Sequence, residues 1–440
     1  MESGSTKKRN MWIYAGLFAC IWCIQHGAAD DCNKDLLLVS MDGFAWDYLE
    51  HAETPNFDKL ATLGVAARYL KGTFATRTFP SHYTMATGLY QETHGIVGNA
   101  MYDPVFKEFF TKKSYDSKWW DGGEPIWITT RKQKKKSATF FWPGSEAELQ
   151  GYRPNIWKTY NASVPFKDRV DEVVKWFVDK GINMATLYFH EPDRTGHSFG
   201  PDSQEVKLKV EYMDGVLGYL MNRFDEHNLW GSVNVIVTSD HGMAGIDLKN
   251  RLIDITDYVN MSMIKATIEN GALMQILPSA GNLVDDIFNA LHSRHPNMTV
   301  YKKEDIPQRW HYGDNRRVAP IVAVADLGWS ITKNRTMAAA YAGYRRGGHG
   351  YDNEVESMRS IFLARGPSFK KNYSMEPFSS LDLYPLMCSL LRIHPAPNNG
   401  SLDVVSKMII ESPAICGGQK TIGHFGLLFS LFSLFTFVLY

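Results

Sequence analysis

The stretch DLLLVSMDGF, residues 35–44, joins a continuous apolar run from Leu36 to Val39 to an acidic residue, Asp42, shortly after it. An apolar run of this length without alternation is typical of a strand that is buried on both faces of its sheet. Similar runs predict three further strands, at residues 185–189, 233–238 and 361–364.

Longer amphipathic segments separate these candidate strands. Residues 168–180 and residues 205–227 both repeat apolar side chains near the spacing of an α-helix. Strands that alternate with helices predict an α/β layered fold, with a largely parallel central sheet flanked by helices. The chain has 440 residues, which suits one large domain or two closely packed ones.

Three of the predicted strands lead into carboxylate or imidazole side chains. The residues that follow them are Asp42, then Asp193 with His197, then Asp240 with His241. Ligands of open α/β sheets bind beyond the carboxyl ends of the strands. We therefore expect these side chains to converge on one site.

A further candidate, His349, lies in the glycine-rich segment RRGGHGYDN, residues 345–353. Its glycines allow the backbone to pass close to a ligand. Each of these motifs is common by chance when it occurs alone. Together, three carboxylates and three imidazoles suit one or two borderline divalent ions better than Mg²⁺ or Ca²⁺. The absence of cysteine favours a catalytic site over a structural one, and zinc is the expected metal.

The segment GTFATRTFPSHYTMATGLYQETHGIVGN, residues 72–99, is crowded with hydroxyl groups. It lacks the G-x-S-x-G turn of a serine hydrolase. A hydroxyl here can instead be activated by a metal ion, because coordination lowers its pKa without a histidine base. We therefore interpret His82 and His94, which lie in this segment, as structural.

Both ends of the chain have the pattern of processing signals. Residues 1–29 combine a basic start, an apolar run and small residues, which predicts a secretory signal peptide, with an uncleaved anchor as the alternative. Residues 416–440 combine small residues, a short polar spacer and an apolar tail, which predicts GPI attachment, with a single-pass membrane tail as the alternative. Six N-x-S/T sequons agree with the secretory route, at Asn161, Asn260, Asn297, Asn334, Asn372 and Asn399.

The charge balance and the cysteine content argue against a nucleic-acid-binding protein and against a disulfide-framework protein. The 47 basic and 47 acidic residues balance, so a surface for a nucleic-acid polymer is not indicated, and we interpret the basic run at residues 131–136 as a solvated loop. Outside the predicted signal only Cys32, Cys388 and Cys416 remain, which is no disulfide framework. Cys388 with Cys416 is the pair we expect. No obligate protein partner is evident.

Several segments resemble, in order, the ectonucleotide pyrophosphatase/phosphodiesterase family of the alkaline phosphatase superfamily. They are TRTFPSHYTMATGLYQETHGIVGNAMYDPVF, EPIWIT, EPDRTGHSFGPDS, VTSDHGM and GGHGYDN. The resemblance extends from about Asp35 to about Asn399 and is nearest to the short members, types four and five. It implies an alkaline-phosphatase-like layered fold with a small inserted or capping region, in one phosphodiesterase domain over residues 30–415.

The resemblance also implies roles for individual residues. Thr78 matches the nucleophile, and Asn99 matches the residue that steadies a non-bridging phosphate oxygen. Phe79 matches one face of a nucleobase slot, and Tyr160 is our candidate for the other. Two zinc ions are implied, one held at positions matching Asp42, Thr78, Asp240 and His241, the other at positions matching Asp193, His197 and His349.

The implied function is that of an extracellular two-zinc hydrolase. It would cleave phosphodiester or pyrophosphate bonds of dinucleoside polyphosphates, NAD-like molecules or nucleoside triphosphates, through a phospho-threonine intermediate, and release nucleoside monophosphate. The expected location is the outer face of the plasma membrane, held by the C-terminal anchor. The alternatives are a choline, glycerophosphodiester or lysophospholipid phosphodiesterase of the same family, or a non-catalytic surface glycoprotein. The complete ligand set argues against the last of these.

Overall fold

The computed structural model describes residues 34–410. The predicted signal peptide and the predicted anchor segment lie outside these residues, as do Cys32 and Cys416. Cys388, the expected partner of Cys416, is buried. Within the described range, no helix has both the length and the apolar character that crossing a membrane requires.

The strands vary from two to seven residues in length. In chain order they are β1 (Asp35–Met41), β2 (Val65–Lys71), β3 (Met101–Asp103), β4 (Glu108–Phe110), β5 (Ser137–Phe140), β6 (Ile156–Lys158), β7 (Met184–Phe189), β8 (Val233–Thr238), β9 (Ala244–Gly245), β10 (Leu252–Asp254), β11 (Ile264–Ile268), β12 (Leu273–Pro278), β13 (Met298–Lys302), β14 (Ile321–Ala325), β15 (Ser330–Thr332), β16 (Gly347–Gly348), β17 (Ser360–Arg365), β18 (Tyr373–Met375) and β19 (Phe378–Ser379).

The α-helices are connected by loops and by single turns of 3₁₀-helix. In chain order they are α1 (Tyr48–His51), α2 (Pro55–Thr62), α3 (Thr78–Thr87), α4 (Gln91–His94), α5 (Ser117–Trp120), α6 (Ile126–Lys132), α7 (Phe166–Lys180), α8 (Asp193–Phe199), α9 (Gln204–Glu226), α10 (Val284–Leu291), α11 (Arg335–Tyr341), α12 (Leu383–Leu391) and α13 (Leu402–Val405).

The central sheet has the order β18-β2-β17-β8-β1-β7-β5-β6, and β19 also pairs with β2. Strands β8, β1, β7, β5 and β6 are parallel. Strand β17 is antiparallel to both of its neighbours. All four predicted strands are present and the largely parallel sheet is confirmed. The direction of β17 differs because apolar pattern is the same for parallel and antiparallel buried strands.

The apolar run of β1 is continuous because both faces of the sheet are covered. Leu36 and Leu38 belong to one hydrophobic cluster, together with residues of α3, α6 and α12. Leu37 and Val39 belong to another, together with residues of α7 and α9. Alternate side chains of a strand point to opposite faces. Each of these fully buried side chains contributes about 1.5–3 kcal/mol through burial, so a charged residue at any of them would disrupt a core.

The two long predicted helices occur with small differences at their ends. Helix α7 ends at Lys180 because Gly181 takes the left-handed conformation, with φ 58°, and its N–H donates to a carbonyl of the last turn. Helix α9 begins after Ser203, whose hydroxyl accepts a hydrogen bond from the Val206 N–H. Both helices bury their apolar stripe against the sheet, which is what the helical spacing predicts.

A smaller antiparallel sheet, with the order β11-β12-β14-β13, forms a separate layer. Helix α10 covers it through Ile287 and Leu291, which pack in one cluster with Met274 and Ile276 of β12. This layer corresponds to the inserted region that the family resemblance implies. The apolar pattern alone did not identify its strands.

Candidate metal centre and nucleophile

The candidate site lies beyond the carboxyl ends of three adjacent parallel strands. Asp42 follows β1, Asp193 begins α8 after β7, and Asp240 with His241 follows β8. Strand β1 lies between β7 and β8. The structure therefore brings these side chains together at one edge of the sheet.

Gly43 makes this close approach possible. It has a φ of 68°, and a Cβ atom there would lie 2.7 Å from the Cβ atom of Asp193. Any other residue would push the end of β1 away from the start of α8. The glycine after Asp42 is thus required by the site and not only by the turn.

Asp42, Asp240 and His241 form the first candidate ligand group, and all three are buried. Their ligand atoms lie within 4.8 Å of one another. The His241 Nε2 atom is 3.1 Å from Asp240 Oδ2 and 3.5 Å from Asp42 Oδ1. Its Nδ1 atom donates to the Gly242 carbonyl at 2.9 Å, since a carbonyl can only accept. In the neutral ring, the Nε2 lone pair therefore faces the two carboxylates.

Asp193, His197 and His349 form the second group, with ligand atoms again within 4.8 Å of one another. The Nε2 atoms of His197 and His349 lie 3.5 Å and 3.6 Å from Asp193 Oδ1. The Nδ1 atoms donate to the carbonyls of Gly347 and Thr76, both at 2.9 Å. Backbone acceptors thus orient every imidazole of the two groups in the same way, as they do around metal ions.

The carboxylates themselves test whether a metal would fit. Asp42 Oδ1, Asp193 Oδ1 and Asp240 Oδ2 are buried and have no hydrogen-bond partner within residues 34–410. Burial and the nearby carboxylates of Asp240 and Asp193 hold the pKa of Asp42 well above its usual range. Buried anionic oxygens without partners are costly unless a cation neutralises them. Oxygen and imidazole ligands without thiolate suit a borderline divalent ion, so the residues fit metal ions.

The protein holds the other oxygen of two of these carboxylates. The Tyr188 hydroxyl donates to Asp42 Oδ2 at 2.5 Å, and the Gly43 N–H donates to Asp240 Oδ1 at 3.1 Å. Each carboxylate is thereby oriented with one oxygen left for a ligand. No sequence pattern indicated the Tyr188 contact, because a tyrosine in a strand is common.

Thr78 is the first residue of α3, and its side chain is buried. Its Oγ1 atom lies 3.4 Å from His241 Nε2, at the first ligand group. The start of a helix carries a partial positive charge, which favours a phosphate near this hydroxyl.

His82 and His94, in contrast, are enclosed by protein hydrogen bonds. The His82 nitrogens contact the Thr78 carbonyl and the Ser40 hydroxyl, both at 2.8 Å. His94 Nε2 lies 3.0 Å from the Thr84 hydroxyl, and its Nδ1 atom accepts from the Ile96 N–H. Burial lowers the pKa of His94 to about 3. Both rings are neutral parts of the core beneath Thr78.

Asn99 lies beside the nucleophile candidate. Its Oδ1 atom accepts a 2.8 Å hydrogen bond from the Phe79 N–H, so the acceptor end of the side chain is engaged. The amide NH₂ end remains as a donor.

A buried ion pair joins the flanks of Thr78 and Asn99, and sequence reasoning missed it. Arg77 Nε lies 2.6 Å from Glu269 Oε2. The other carboxylate oxygen, Glu269 Oε1, accepts from the Ala100 N–H at 3.0 Å. Glu269 therefore contacts the residue before Thr78 and the residue after Asn99 at once. Its side chain comes from the loop between β11 and β12, far along the chain.

A cavity of about 350 Å³ adjoins the site, and we name it the aromatic cavity. Asp42, Thr78 and Asp193 line it, together with Phe79 and Tyr160. Tyr160 is 46% exposed, so part of its side chain is accessible to a ligand. The rings of Phe79 and Tyr160 therefore line the same cavity.

Glu146 also lines the aromatic cavity, and the sequence carried no sign of it. Burial raises the pKa of this carboxyl to about 7. Lys112 and Lys113 line the same cavity, so its polar groups include both signs of charge.

Comparison with known proteins identifies a matching family model and several similar proteins. A family model described as Type I phosphodiesterase / nucleotide pyrophosphatase matches residues 36–352. Human ectonucleotide pyrophosphatase/phosphodiesterase family member 5 is 43% identical over 373 residues, which cover 84% of this chain and 76% of the relative. The bis(5'-adenosyl)-triphosphatase enpp4 of Xenopus laevis is 39% identical over 395 residues, which cover 89% and 85%.

Solved structures agree with the sequence comparison. An inactive variant of murine ectonucleotide pyrophosphatase/phosphodiesterase 5 in complex with AMP is similar, with a TM-score of 0.82 and 42% identity over 86% of this chain and 100% of that one. The human protein of the same type has the same TM-score, identity and coverage. The α/β fold class and the family resemblance are thereby confirmed. The chain belongs to the Type I phosphodiesterase / nucleotide pyrophosphatase family.

Proposed function

We propose that this protein is a metal-dependent hydrolase that cleaves phosphodiester or pyrophosphate bonds of nucleotides and releases nucleoside monophosphate. Its substrates would be dinucleoside polyphosphates, NAD-like molecules or nucleoside triphosphates. One observation carries the proposal: the Thr78 hydroxyl lies at a group of buried carboxylate oxygens without partners, and lines an aromatic cavity beside them. Family membership supports the same reaction class.

Two zinc ions are the metals that we assign to the site. One would be held by Asp42, Thr78, Asp240 and His241, and the other by Asp193, His197 and His349. The mixed oxygen and imidazole donors support zinc over Mg²⁺ or Ca²⁺. When bound, two such ions would lower the pKa of the Thr78 hydroxyl and neutralise the charge on a phosphate.

The remaining catalytic roles are assigned to side chains of the protein. Thr78 attacks phosphorus in line with the leaving group, which forms a phospho-threonine that water then hydrolyses. The Asn99 amide donates to a non-bridging oxygen, a contact worth about 2–4 kcal/mol in comparable oxyanion sites. Glu269 acts as a positioning residue, because it fixes the flanks of both residues.

Phe79 and Tyr160 would hold the nucleobase. Both line the aromatic cavity, and stacking of a base on an aromatic side chain contributes about 1–3 kcal/mol. The binding of a nucleotide here would bring its phosphate to Thr78, which lines the same cavity.

A choline phosphodiester is the alternative substrate. Glu146 is the observation that favours it, because a carboxylate among aromatic rings suits a quaternary ammonium. Two features favour the nucleotide instead. Burial raises the pKa of Glu146 to about 7, which weakens its charge, and Lys112 with Lys113 would repel a cation.

The protein would act at the outer face of the plasma membrane. We assign residues 1–29 to a signal peptide, residues 30–415 to the phosphodiesterase domain and residues 416–440 to a GPI-attachment signal. Five of the six sequon asparagines are exposed and Asn297 is half-buried, which supports glycosylation. Release of the protein from cells by a phosphatidylinositol-specific phospholipase would support the GPI anchor, and retention would favour a spanning tail.

The test of the proposed function compares two chromogenic esters. Purified ectodomain is given p-nitrophenyl thymidine monophosphate or p-nitrophenyl phosphorylcholine, with and without a chelator. We expect cleavage of the nucleotide ester that a chelator abolishes and that zinc restores. Preference for the choline ester would support the alternative substrate. No turnover of either ester by folded, zinc-loaded protein would contradict the proposal.

A matched pair of variants controls this test. Thr78→Ala removes the proposed nucleophile and is expected to abolish cleavage. Thr93→Ala makes the same change at an exposed position in the same segment, and is expected to retain it. Equal activity of the two variants would exclude Thr78 as the nucleophile.

A further inference from the structure

Two cavities adjoin the metal ligand groups. Asp42, Thr78 and Asp193 line the aromatic cavity, whereas His197 and His349 line a second cavity of about 310 Å³. We name the second one the histidine cavity. No residue lines both cavities. The candidate metal centre is therefore flanked by two separate cavities.

Two of the six sequons lie at these cavities. Asn161 is exposed, and its neighbours Tyr160 and Ala162 both line the aromatic cavity. Asn334 is exposed and itself lines the histidine cavity, beside Lys333. The other four sequon asparagines line neither cavity, and neither do the residues next to them in sequence. Each cavity thus has one sequon at its rim.

Both asparagines leave their side-chain nitrogen free for a glycan. The Oδ1 atom of Asn161 accepts a 3.0 Å hydrogen bond from the Ser163 N–H, and that of Asn334 accepts a 2.9 Å bond from the Met337 N–H. Neither Nδ2 atom has a hydrogen-bond partner within residues 34–410. A sugar attached at Nδ2 therefore displaces no contact of the fold.

We propose that N-linked glycans at Asn161 and Asn334 form a steric filter, which admits small nucleotides to the metal centre and excludes nucleic-acid chains. The proposal rests on the proposed function, because it concerns which substrates reach the same site. A glycan is bulky and stays in solvent, so one at each rim narrows the approach to both cavities.

Attachment of the glycan needs only the secretory route. The Nδ2 atom forms a bond to the anomeric carbon of a lipid-linked oligosaccharide and loses one proton. The bond from that carbon to oxygen breaks, and the lipid pyrophosphate leaves with its electron pair. The charge of the side chain is unchanged, because a neutral amide becomes a neutral substituted amide. The effect of the glycan at the rim is therefore one of bulk.

The sizes of the cavities determine what the filter excludes. Volumes of about 350 Å³ and about 310 Å³ are at the lower end for small-molecule sites. A small nucleotide is largely enclosed by them. A nucleic-acid chain has to extend past a rim, where it meets a glycan.

Charge alone would not exclude nucleic acid. Lys112, Lys113 and Arg194 line the aromatic cavity, and Lys333 and Arg345 line the histidine cavity. Cationic side chains beside aromatic ones are the features that bind single-stranded nucleic acid. The local charge at both rims attracts a polyanion although the whole chain is neutral. Exclusion of such a chain must therefore be steric.

The test removes each sequon but keeps its asparagine. Ser163→Ala abolishes the sequon of Asn161, and Thr336→Ala abolishes that of Asn334 without removing the helix cap that Asn334 provides. Both altered residues are exposed and line neither cavity. The full chain and the double variant are expressed in vertebrate cells and purified in detergent. Glycopeptide mass spectrometry measures occupancy, and a parent without glycans at both asparagines would overturn the proposal.

Ser262→Ala is the matched control. It abolishes the sequon of Asn260, which is exposed and away from both cavities. The Oδ1 atom of Asn260 accepts a 3.0 Å hydrogen bond from the Ser262 N–H, so its local geometry matches that of Asn161. The control therefore removes a glycan from a similar turn without opening a rim.

The kinetic readout is a ratio of two substrates. The first is a single-stranded oligothymidylate of about 20 nucleotides, longer than one binding site for a single strand. Its kcat/KM is divided by that of p-nitrophenyl thymidine monophosphate. We expect the double variant to raise this ratio by about 10-fold or more, because stacking of one further base contributes about 1–3 kcal/mol once the rims are open. Ser262→Ala should leave it within about two-fold of the parent value.

An unchanged ratio in the double variant, or an equal rise in Ser262→Ala, would overturn the proposal. Trimming the glycans of the parent gives a second measurement on an unaltered chain. Parent protein with high-mannose glycans is treated with endoglycosidase H, which leaves one sugar on each asparagine. A steric filter depends on glycan size, so the ratio should rise after trimming. A ratio that does not change would also overturn the proposal.

A binding measurement needs no turnover. On the Thr78→Ala background, fluorescence anisotropy gives the Kd of the labelled oligothymidylate and calorimetry gives the Kd of AMP, before and after trimming. We expect trimming to strengthen binding of the oligothymidylate by about 10-fold, as one additional stacked base implies, and to leave AMP unchanged. Equal effects on both ligands would contradict a filter based on size.

The two proposals fail separately. If the parent protein does not cleave p-nitrophenyl thymidine monophosphate, the proposed function is wrong and the filter has no reaction to control. If the parent cleaves this ester and removal of the two glycans leaves the ratio unchanged, only the filter is wrong.

Discussion

The Tyr188 hydroxyl donates a 2.5 Å hydrogen bond to Asp42 Oδ2, while Asp42 Oδ1 has no hydrogen-bond partner within residues 34–410. One carboxylate thus has one oxygen held by a buried phenol and the other turned to the candidate metal centre. The phenol stays protonated, because burial and the adjacent Asp42 raise the pKa of Tyr188 well above its usual range. Tyr188 therefore acts as a positioning residue for Asp42.

Tyr188→Phe should weaken metal binding by about 10–100-fold, because the partners that orient metal ligands have effects of this size. The change removes only the hydroxyl. Zinc titration of the metal-free protein measures the zinc affinity. Tyr219→Phe is the control, since the Tyr219 hydroxyl contacts Asp171, away from the site. Equal zinc affinity of the two variants would contradict the role of Tyr188.

Tyr160→Ala should raise KM for p-nitrophenyl thymidine monophosphate by about 10-fold, because about 1–3 kcal/mol of base stacking is lost. The effect on kcat should be smaller, since Tyr160 does not contact the reacting atoms. Tyr152→Ala provides the comparison, because Tyr152 is also exposed but does not line the aromatic cavity. An unaltered KM in Tyr160→Ala would remove Tyr160 from the nucleobase slot.

Glu269→Gln should destabilise the fold by about 3 kcal/mol, because it leaves the buried Arg77 guanidinium without its counter-charge. It should also lower kcat more than it raises KM, since Glu269 positions Thr78 and Asn99. Urea unfolding and steady-state kinetics measure the two effects. Glu354→Gln breaks an exposed ion pair with Lys71 and should change stability by less than about 1 kcal/mol. Similar losses in both variants would argue against a special role for Glu269.

Glu146 gives the protein a pH-dependent stability. Burial raises the folded-state pKa of Glu146 to about 7, above the value of the unfolded chain. The neutral carboxyl is favoured by folding, so its contribution is fully present below the unfolded pKa and is lost as the pH rises through about 7.

Glu146→Gln keeps this position neutral at every pH. When the pH rises from about 5 to about 8, the unfolding free energy of the parent should therefore fall by about 2 kcal/mol relative to that of the variant. Chemical unfolding at both pH values measures this fall. Glu148→Gln, which alters an exposed ion pair with Arg153, should show no such difference from the parent. A constant difference between Glu146→Gln and the parent would contradict the shifted pKa.

Sequence pattern predicted the parts of the molecule that depend on local signals. The apolar run of β1 is continuous because both faces of the strand are covered. The uninterrupted apolar pattern of residues 36–39 is enough to indicate this coverage from sequence. Asp42 directly follows β1, and Asp240 and Asp193 lie in the short segments after β8 and β7, so the parallel strands bring all three to one edge of the sheet. The strands of the smaller sheet and the direction of β17 were not predicted, because they depend on pairing between distant segments.

The contacts that orient the site were also beyond pattern reasoning. Tyr188 and Asp42 are 146 positions apart in sequence, and neither residue type signals the pairing. Glu269 reaches Arg77 and Ala100 from a loop of the smaller sheet, and an acidic residue in a loop is ordinary. Arg345 and Arg346 are adjacent in sequence. Only the structure shows that Arg345 lines a cavity with His197 and His349, whereas Arg346 does not.

The most direct test of the central claim is to locate the covalent intermediate. Zinc-loaded protein is quenched with acid during turnover of diadenosine triphosphate and is analysed by peptide mass spectrometry. We expect one adenylyl group on the Thr78 hydroxyl, absent from Thr78→Ala and present in Thr93→Ala. An adduct on another residue, or full turnover by Thr78→Ala, would contradict the account.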